Sequence, residues 1–487
     1  MKLTLPSITI LGLGPGDPLL LTRQVWELLG QVNEIYVRTQ RHPALGSLPS
    51  HLKIHSFDYL YNQADSFEVV YQQIVEQVIQ LGRRTQGVVY AVPGHPFVAE
   101  ATTPAILRLA QEEGLSVQVL EGISFIEPIL TALALDPLPN LLILDALEIA
   151  ASHVPQFPPN LPVIIAQLYS RQVAADVKLT LMEVYPPDHP VRLVHQAGTP
   201  KVRIEELNLY EIDHSPLIDW MTSLYLPGLP RETSFEAFQE VVAHLRSPEG
   251  CPWDREQDHQ TLKPYLLEEA YELVEAIDQE NIAAMREELG DLLLQVVLHA
   301  QIANEDGDFG MKDVLAGIHR KLVSRHPHVF GNLAVSGSSE VLRNWENLKA
   351  EERRKNGEDQ KGILDGLPQA LPALIQAQEY QKRAARVGFD WSNIEGVLHK
   401  VEEELRELVA AKGAKDRADE FGDILFSLVN LARWLEIDAE SALRQANQRF
   451  RQRFAYIERR AKEQGKNLAD LSLAEMDALW EAAKELE

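Results

Sequence analysis

Through residues 1–225, short apolar runs alternate with longer segments whose apolar positions recur every three or four residues. Ile8–Leu13 runs into GLGPGD (Gly12–Asp17). Val88–Val92 runs into PGHP (Pro93–Pro96). Val117–Leu120 runs into EGIS (Glu121–Ser124), and Val163–Leu168 is a fourth run. Ser66–Leu81 and Ala99–Glu113 carry helical spacing between them. Strand, glycine turn and helix in repetition predict an α/β layer fold with a largely parallel sheet. Residues 180–213 are richer in short strand patterns and predict a second α/β lobe.

At Pro227–Pro230 (PGLP) the pattern breaks. From Phe235 onward it is helical: Leu262–Asp278, Ala283–Asn304, Met311–Ser324, Glu340–Lys355, Pro372–Val387, Ile394–Lys412, Ala418–Leu435, Ala439–Glu463 and Leu473–Glu487. Residues 331–339 and 356–371 read as connectors. The boundaries predicted are an α/β domain at 1–226, a linker at 227–234, an all-α repeat at 235–355, a connector at 356–371 and a second all-α repeat at 372–487.

The helical half repeats itself. Glu268, Glu269 and Glu272 precede Glu288 and Asp291; Glu403, Glu404 and Glu407 precede Glu420 and Asp423. Each set reads EExxE, a gap, then ExxD. Lys321 and Arg325 follow the first set, Arg449 and Arg453 the second; Trp345 with Lys349, and Trp480 with Lys484, close each order. Residues three or four apart share a helix face, so two such helices side by side point four carboxylates into one space. Like charges that close require a positive partner, and a hard divalent cation with oxygen ligands is the simplest. That predicts magnesium acting on phosphates. Solvated helix faces bearing acids are the plain alternative. The copies are not equal: Lys400 lies four before Glu404, where the first copy has Tyr265.

Composition narrows the partners. At 487 residues the chain has room for about three domains. A net charge of −26 argues against nucleic-acid binding, which needs a basic surface. Cys251 is the only cysteine, so no internal disulfide forms; this fits a reducing, cytoplasmic setting. Met1–Asp17 reads as a first strand rather than a signal peptide, and no apolar stretch reaches membrane-spanning length.

CPWD (Cys251–Asp254), LLEEAYE (Leu266–Glu272), EELGDLL (Glu287–Leu293), RHPHVFG (Arg325–Gly331), VGFDW (Val387–Trp391) and FGDILFSLVNLARW (Phe421–Trp434) resemble the MazG-type nucleoside triphosphate pyrophosphohydrolases, here as two tandem repeats. GLGPGD, PGHP and EGIS, in that order, resemble the tetrapyrrole (corrin/porphyrin) methylases, and the combination resembles the YabN-type fusion. The fold class implied is a multidomain chain: an N-terminal α/β methylase-like domain followed by all-α helical bundle repeats that pair into homodimers. The activity implied is Mg2+-dependent hydrolysis of nucleoside triphosphates to the monophosphate and pyrophosphate. Metal ligands implied are Glu404, Glu407, Glu420 and Asp423, with Glu269, Glu272, Glu288 and Asp291 in the first repeat. Lys400 would serve catalysis with Glu404 or Glu407 as general base. Arg449, Arg453, Trp480 and Lys484, and in the first repeat Lys321, Arg325, Trp345 and Lys349, would hold the nucleotide. Salt bridges and core packing are the structural alternatives for these basic and aromatic residues.

The methylase resemblance implies S-adenosylmethionine held by Gly14, Pro15, Gly16, Asp17, Gly94, His95, Gly122 and Ser124. The second loop reads PGHP where active members have a GDP-type sequence, placing His95 at the acid's position. A tight structural turn is the other account of these glycines. Two further functions stay open: a tetrapyrrole methyltransferase, or an N-terminal ligand sensor controlling the hydrolase.

Overall fold

The computed structural model describes residues 6–337 apart from 62, 64 and 65, then 340, 341, 344, 345 and 348, and residues 362–486. Lys349 and much of the helix expected over Glu340–Lys355 lie outside the described residues. The chain divides into two compact units, 1–314 and 315–487.

The first unit opens with β1 (Ile8–Gly12), α1 (Arg23–Leu29), β2 (Glu34–Val37), β3 (Lys53–Ser56), α2 (Asp58–Tyr61), α3 (Phe67–Gly82), β4 (Val88–Val92), α4 (Thr102–Glu112) and β5 (Val117–Leu120). Its sheet has the order β3-β2-β4-β1-β5, with every neighbouring pair parallel. β1 and β4 are buried along their whole length, which is why they read as unbroken apolar runs. Side chains alternate between faces. Ile8, Ile10, Val88 and Tyr90 meet Ile74, Val78 and Ile79 of α3, while Leu11, Val89 and Ala91 meet Val25, Leu28 and Leu29 of α1. Ser66 starts α3 by accepting a hydrogen bond from the Val69 amide.

After α5 (Ile126–Leu133) a second sheet forms from β6 (Leu142–Asp145), β7 (Val163–Ala166), β8 (Pro190–His195), β9 (Arg203–Asn208) and β10 (Thr222–Leu226), with α6 (Ala146–Ala150) and α7 (Arg171–Met182) between its early strands. Its order is β6-β7-β10-β8-β9. The expectation of a largely parallel sheet holds for the first sheet and does not extend to this one: only β6 and β7 are parallel, and the other three pairings are antiparallel. The physical reason is connection length. No helix long enough for a crossover lies between β8, β9 and β10. β7 also stops at Ala166, because Gln167 takes a left-handed φ of 63°.

Helices follow: α8 (Phe235–Arg246), α9 (Pro252–Glu256), α10 (Lys263–Asp278) and α11 (Ile282–Asp306), with α12 (Met311–Arg325) running across the division between units. Asn281 caps α11 and Gly307, at φ 81°, ends it. Val242, Leu262, Val297, Leu298 and Ile302 form the small core here.

The second unit holds α13 (Pro327–Phe330), α14 (Ala373–Arg386), α15 (Ile394–Ala410), α16 (Ala414–Trp434), α17 (Ala439–Glu463) and α18 (Leu473–Lys484). α16 starts four residues earlier than its apolar spacing suggests, because the polar first turn (AKDR) is helical without being buried. The buried amides of Gln378 and Gln381 pin α14 to the carbonyls of Ile437 and Phe426, at 2.9 and 2.8 Å. Ser472 and Glu475 close a capping box on α18. No helix among the described residues is long and apolar enough to cross a membrane.

Candidate functional site

The acidic signatures fall on two helix pairs. In the first, Glu269 and Glu272 lie one turn apart on α10, and Glu288 lies on the adjoining α11. In the second, Glu404 and Glu407 lie on α15 and Glu420 on α16. In each set one carboxylate oxygen per residue comes within 4.8 Å of the others. A connection of only three residues separates each helix pair, at 279–281 and 411–413, so the helices lie side by side and their facing turns share one space.

Electrostatics records the crowding. Glu269 is raised above the ordinary glutamate range by burial first, then by Asp291, Glu272, Glu288 and Glu268. Glu288 is raised by burial, Glu272 and Asp291. Glu420 is raised by burial, then by Glu407, Glu404 and Asp423. Asp291 and Asp423 thus stand close enough to act on their sets, although the tight groups consist of the three glutamates.

The sets differ in one partner. Lys400 donates to Glu403 at 2.9 Å and to Glu404 at 2.7 Å. These bonds, to Glu403 first, hold its ammonium protonated well above the ordinary lysine range. Glu404 is buried, with 4% of its surface exposed. In the first set Tyr265 occupies the Lys400 position, its ring edge-on to Trp253 at 6.1 Å. Among the described residues, no lysine or arginine pairs with Glu269, Glu272 or Glu288.

The basic and aromatic residues form a second grouping. Arg453 stacks over the Trp480 ring at 5.3 Å, and Arg325 lies over Trp345 at 6.0 Å. The two repeats therefore make the same guanidinium–indole contact. Trp480 also packs into the core of Ile457, Ala461 and Leu471 and against the Phe450 ring at 5.2 Å, so it is half-buried and has a structural role. Arg449 is exposed, and Lys321 lies one turn before Arg325 on α12. Lys484 pairs with Glu481 at 2.6 Å on the surface. Sequence order pointed to these residues; their stacking was not legible from it.

At the carboxyl edge of the first sheet, the glycine loops interlock. β1 continues toward β2, which lies beyond β4, while β4 continues toward β5, which lies beyond β1. Their connections cross, and an antiparallel bridge between Gly14 and Gly94 marks the crossing, with amide–carbonyl bonds of 3.2 and 2.8 Å. A Cβ on Gly12 or Gly122 would overlap the Gly94 carbonyl oxygen. Gly14, Gly16 and Gly94 hold φ of 69°, 142° and 67°. Pro15 packs on Gly198, the Asp17 amide donates to the Gly198 carbonyl at 2.8 Å, and the Asp17 side chain caps the following turn at Leu19. His95 Nδ1 accepts from the Phe97 amide at 3.1 Å, and buried Ser124 donates to Glu127. Close by, Arg38 donates to buried Glu100 at 2.8 Å, and Glu100 accepts from Thr102. This pair spans 62 residues and no local pattern announces it.

Two family models match the chain: tetrapyrrole (corrin/porphyrin) methylases over residues 7–213, and the MazG nucleotide pyrophosphohydrolase domain over residues 257–330. The protein YabN of Bacillus subtilis is 43% identical over 490 residues, covering 99% of this chain and 99% of its own. The nucleoside triphosphate pyrophosphohydrolase/pyrophosphatase MazG of Thermotoga maritima is 48% identical over 250 residues, 51% of this chain and 95% of its own. Among solved structures, a cobalamin biosynthetic enzyme, cobalt precorrin-4 methyltransferase, is 17% identical over 45% of this chain and 94% of its own, with a TM-score of 0.37. The chain belongs to the family, shared with the B. subtilis protein, that joins a tetrapyrrole-methylase domain to MazG nucleotide pyrophosphohydrolase repeats.

Proposed function

We propose that this chain hydrolyses the α–β phosphoanhydride of nucleoside triphosphates, giving the monophosphate and pyrophosphate, with a divalent cation held by its carboxylates. One observation carries this: three glutamates from two helices brought within 4.8 Å, in both repeats. All-oxygen donors of that number fit Mg2+, which takes carboxylates beside its waters and substrate phosphates. Bound there, such a cation would neutralise developing phosphate charge and lower the pKa of a bound water.

The chain's own residues supply the rest. Glu404, Glu407 and Glu420, with Asp423 beside them, would hold the cation in the second repeat; Glu269, Glu272 and Glu288, with Asp291, would do so in the first. Glu404 is occupied by Lys400, which leaves exposed Glu407 the better placed to take a proton from water. Arg449 and Arg453 would grip the triphosphate, with Lys484 released from Glu481 to join them. Arg453 also steadies half-buried Trp480, whose indole would stack on a base. Lys321, Arg325 and Trp345 repeat that arrangement. Apolar residues left exposed on the helices, Leu289 and Leu293 on α11 and Phe421 and Leu425 on α16, favour a homodimer that covers them.

Product analysis tests the bond cleaved. Incubation with each nucleoside triphosphate and Mg2+ is expected to yield monophosphate and pyrophosphate; diphosphate and orthophosphate would mean attack at the terminal phosphate and overturn the proposal. The second reading, S-adenosylmethionine in the N-terminal domain, rests on the crossing of loops at the carboxyl edge of a parallel sheet, where such folds take ligands. Calorimetric titration with S-adenosylmethionine decides it. Heat with methyl transfer supports a methyltransferase, heat without transfer supports a sensor, and no heat removes both.

A further inference from the structure

Both carboxylate sets bring three glutamate oxygens within 4.8 Å of one another, and they differ in charge. In the second, the Lys400 ammonium lies 2.7 Å from Glu404 and 2.9 Å from Glu403, neutralising a buried carboxylate. In the first, position 265 is a tyrosine turned toward Trp253, and among the described residues no cation pairs with Glu269, Glu272 or Glu288. A divalent ion approaching the first set meets uncompensated charge. One approaching the second set competes with an ammonium for Glu404 and is repelled by it.

We propose that Lys400 is a built-in counter-ion that separates the repeats into a standing cation site, at Glu269, Glu272 and Glu288, and a site at Glu404, Glu407 and Glu420 that loads its cation only with a triphosphate. The proposal rests on the carboxylates being cation ligands. A triphosphate supplies the anion that draws Lys400 off Glu404, so cation and substrate enter the second repeat together. The flexible lysine stem reaches either partner without moving the helix backbone. The first repeat needs no such exchange.

The test is calorimetric titration of the full chain with Mg2+ alone, and again with an α,β-methylene triphosphate present. With Mg2+ alone, the tighter binding is expected to vanish in Glu288→Gln and to persist in Glu420→Gln, with the second set at least about tenfold weaker. The analogue brings the second set into view. Lys400→Met narrows the difference between sets. Tyr265→Lys, which leaves Glu404 and its pair untouched, weakens the first set by a similar factor and guards against misfolding of Lys400→Met. Equal Mg2+ affinities in the two sets, or Lys400→Met and Tyr265→Lys without effect, overturn the counter-ion role and leave the carboxylates as ligands. Mg2+ binding unchanged in both Glu288→Gln and Glu420→Gln overturns the ligand assignment itself.

Discussion

The loops of the α/β domain and the acidic faces of the helical repeats are both dense in motif residues, and the fold uses them in opposite ways. Gly12, Gly94 and Gly122 are consumed by architecture. Two strand connections cross over the sheet's edge, where a Cβ on Gly12 or Gly122 would overlap the Gly94 carbonyl oxygen and Gly94 itself holds a left-handed φ of 67°. The glutamates of the repeats contribute nothing comparable. Gathering Glu404, Glu407 and Glu420 within 4.8 Å works against stability, since burial and the neighbouring Glu407 and Glu404 raise Glu420. A motif that the fold requires says little about chemistry. A motif that the fold must tolerate says a great deal.

The largest expected effect tests the architectural side. Gly12→Ala drives a methyl group into the Gly94 carbonyl and the Gly122 backbone, where neither is the end of a flexible side chain. Overpacking of that kind is expected to cost about 3 kcal/mol, read as a lowered midpoint in denaturant with or without any ligand. A near-normal midpoint would mean the crossing is loose enough to be a binding cleft first and a structural joint second.

Next comes the opposite signature. Glu420→Gln removes one like charge from a crowded set, so the fold is expected to keep its midpoint. Turnover, measured as pyrophosphate released from a nucleoside triphosphate, is expected to fall on the order of 100-fold or more, beyond the loss typical of removing an outer support of a metal site. A variant equally impaired in stability and activity would place Glu420 with the glycines. Glu288→Gln is expected to be milder, within about threefold in turnover, because the first repeat lacks the Lys400 equivalent. A loss as large as that of Glu420→Gln would make the repeats equal partners in hydrolysis.

What the sequence revealed follows the same division. Helix faces are local, so i, i+3 and i+4 spacing announced the glutamates, the Lys400–Glu404 pair and the repeated order of residues before any coordinates. Val88–Val92 was legible to the residue, because a buried parallel strand is an uninterrupted apolar run; Val117–Leu120, an edge strand interrupted by exposed Gln118, was legible from the glycines that bound it, Gly114 and Gly122. The strand crossing was not legible, since Gly14 and Gly94 meet across 80 positions of chain through topology alone. The mixed second sheet escaped for a related reason: an apolar run such as Val163–Ala166 does not state the direction of its neighbours. The Arg325–Trp345 and Arg453–Trp480 contacts had a faint signal in their shared order, but stacking depends on rotamers that spacing leaves open.

The smallest effect concerns pH, and it separates tolerated charge from useful charge. Glu269, Glu288 and Glu420 keep protons to higher pH in the fold than in the unfolded chain, from burial first and neighbouring carboxylates second. Above the ordinary glutamate value of 4.5 the folded state therefore binds more protons, and stability falls as pH rises through that window. Glu475, pushed down to about 2 by Lys466 first and Ser472 second, loses its contribution only at lower pH and leaves the window undisturbed. Buried His42 and half-buried His299, pulled down by burial first, act in the opposite sense and equally in every variant, so in the presence of a chelator the carboxylate share of the melting temperature is expected to decline as pH rises from about 5 to about 7. The decline is expected to be shallower in the Glu288→Gln/Glu420→Gln double variant, because two of the three raised groups no longer titrate. Parallel slopes would mean that solvent already screens these carboxylates from one another. Their crowding would then cost the fold nothing, and the contrast with the glycine crossing would lose its physical basis.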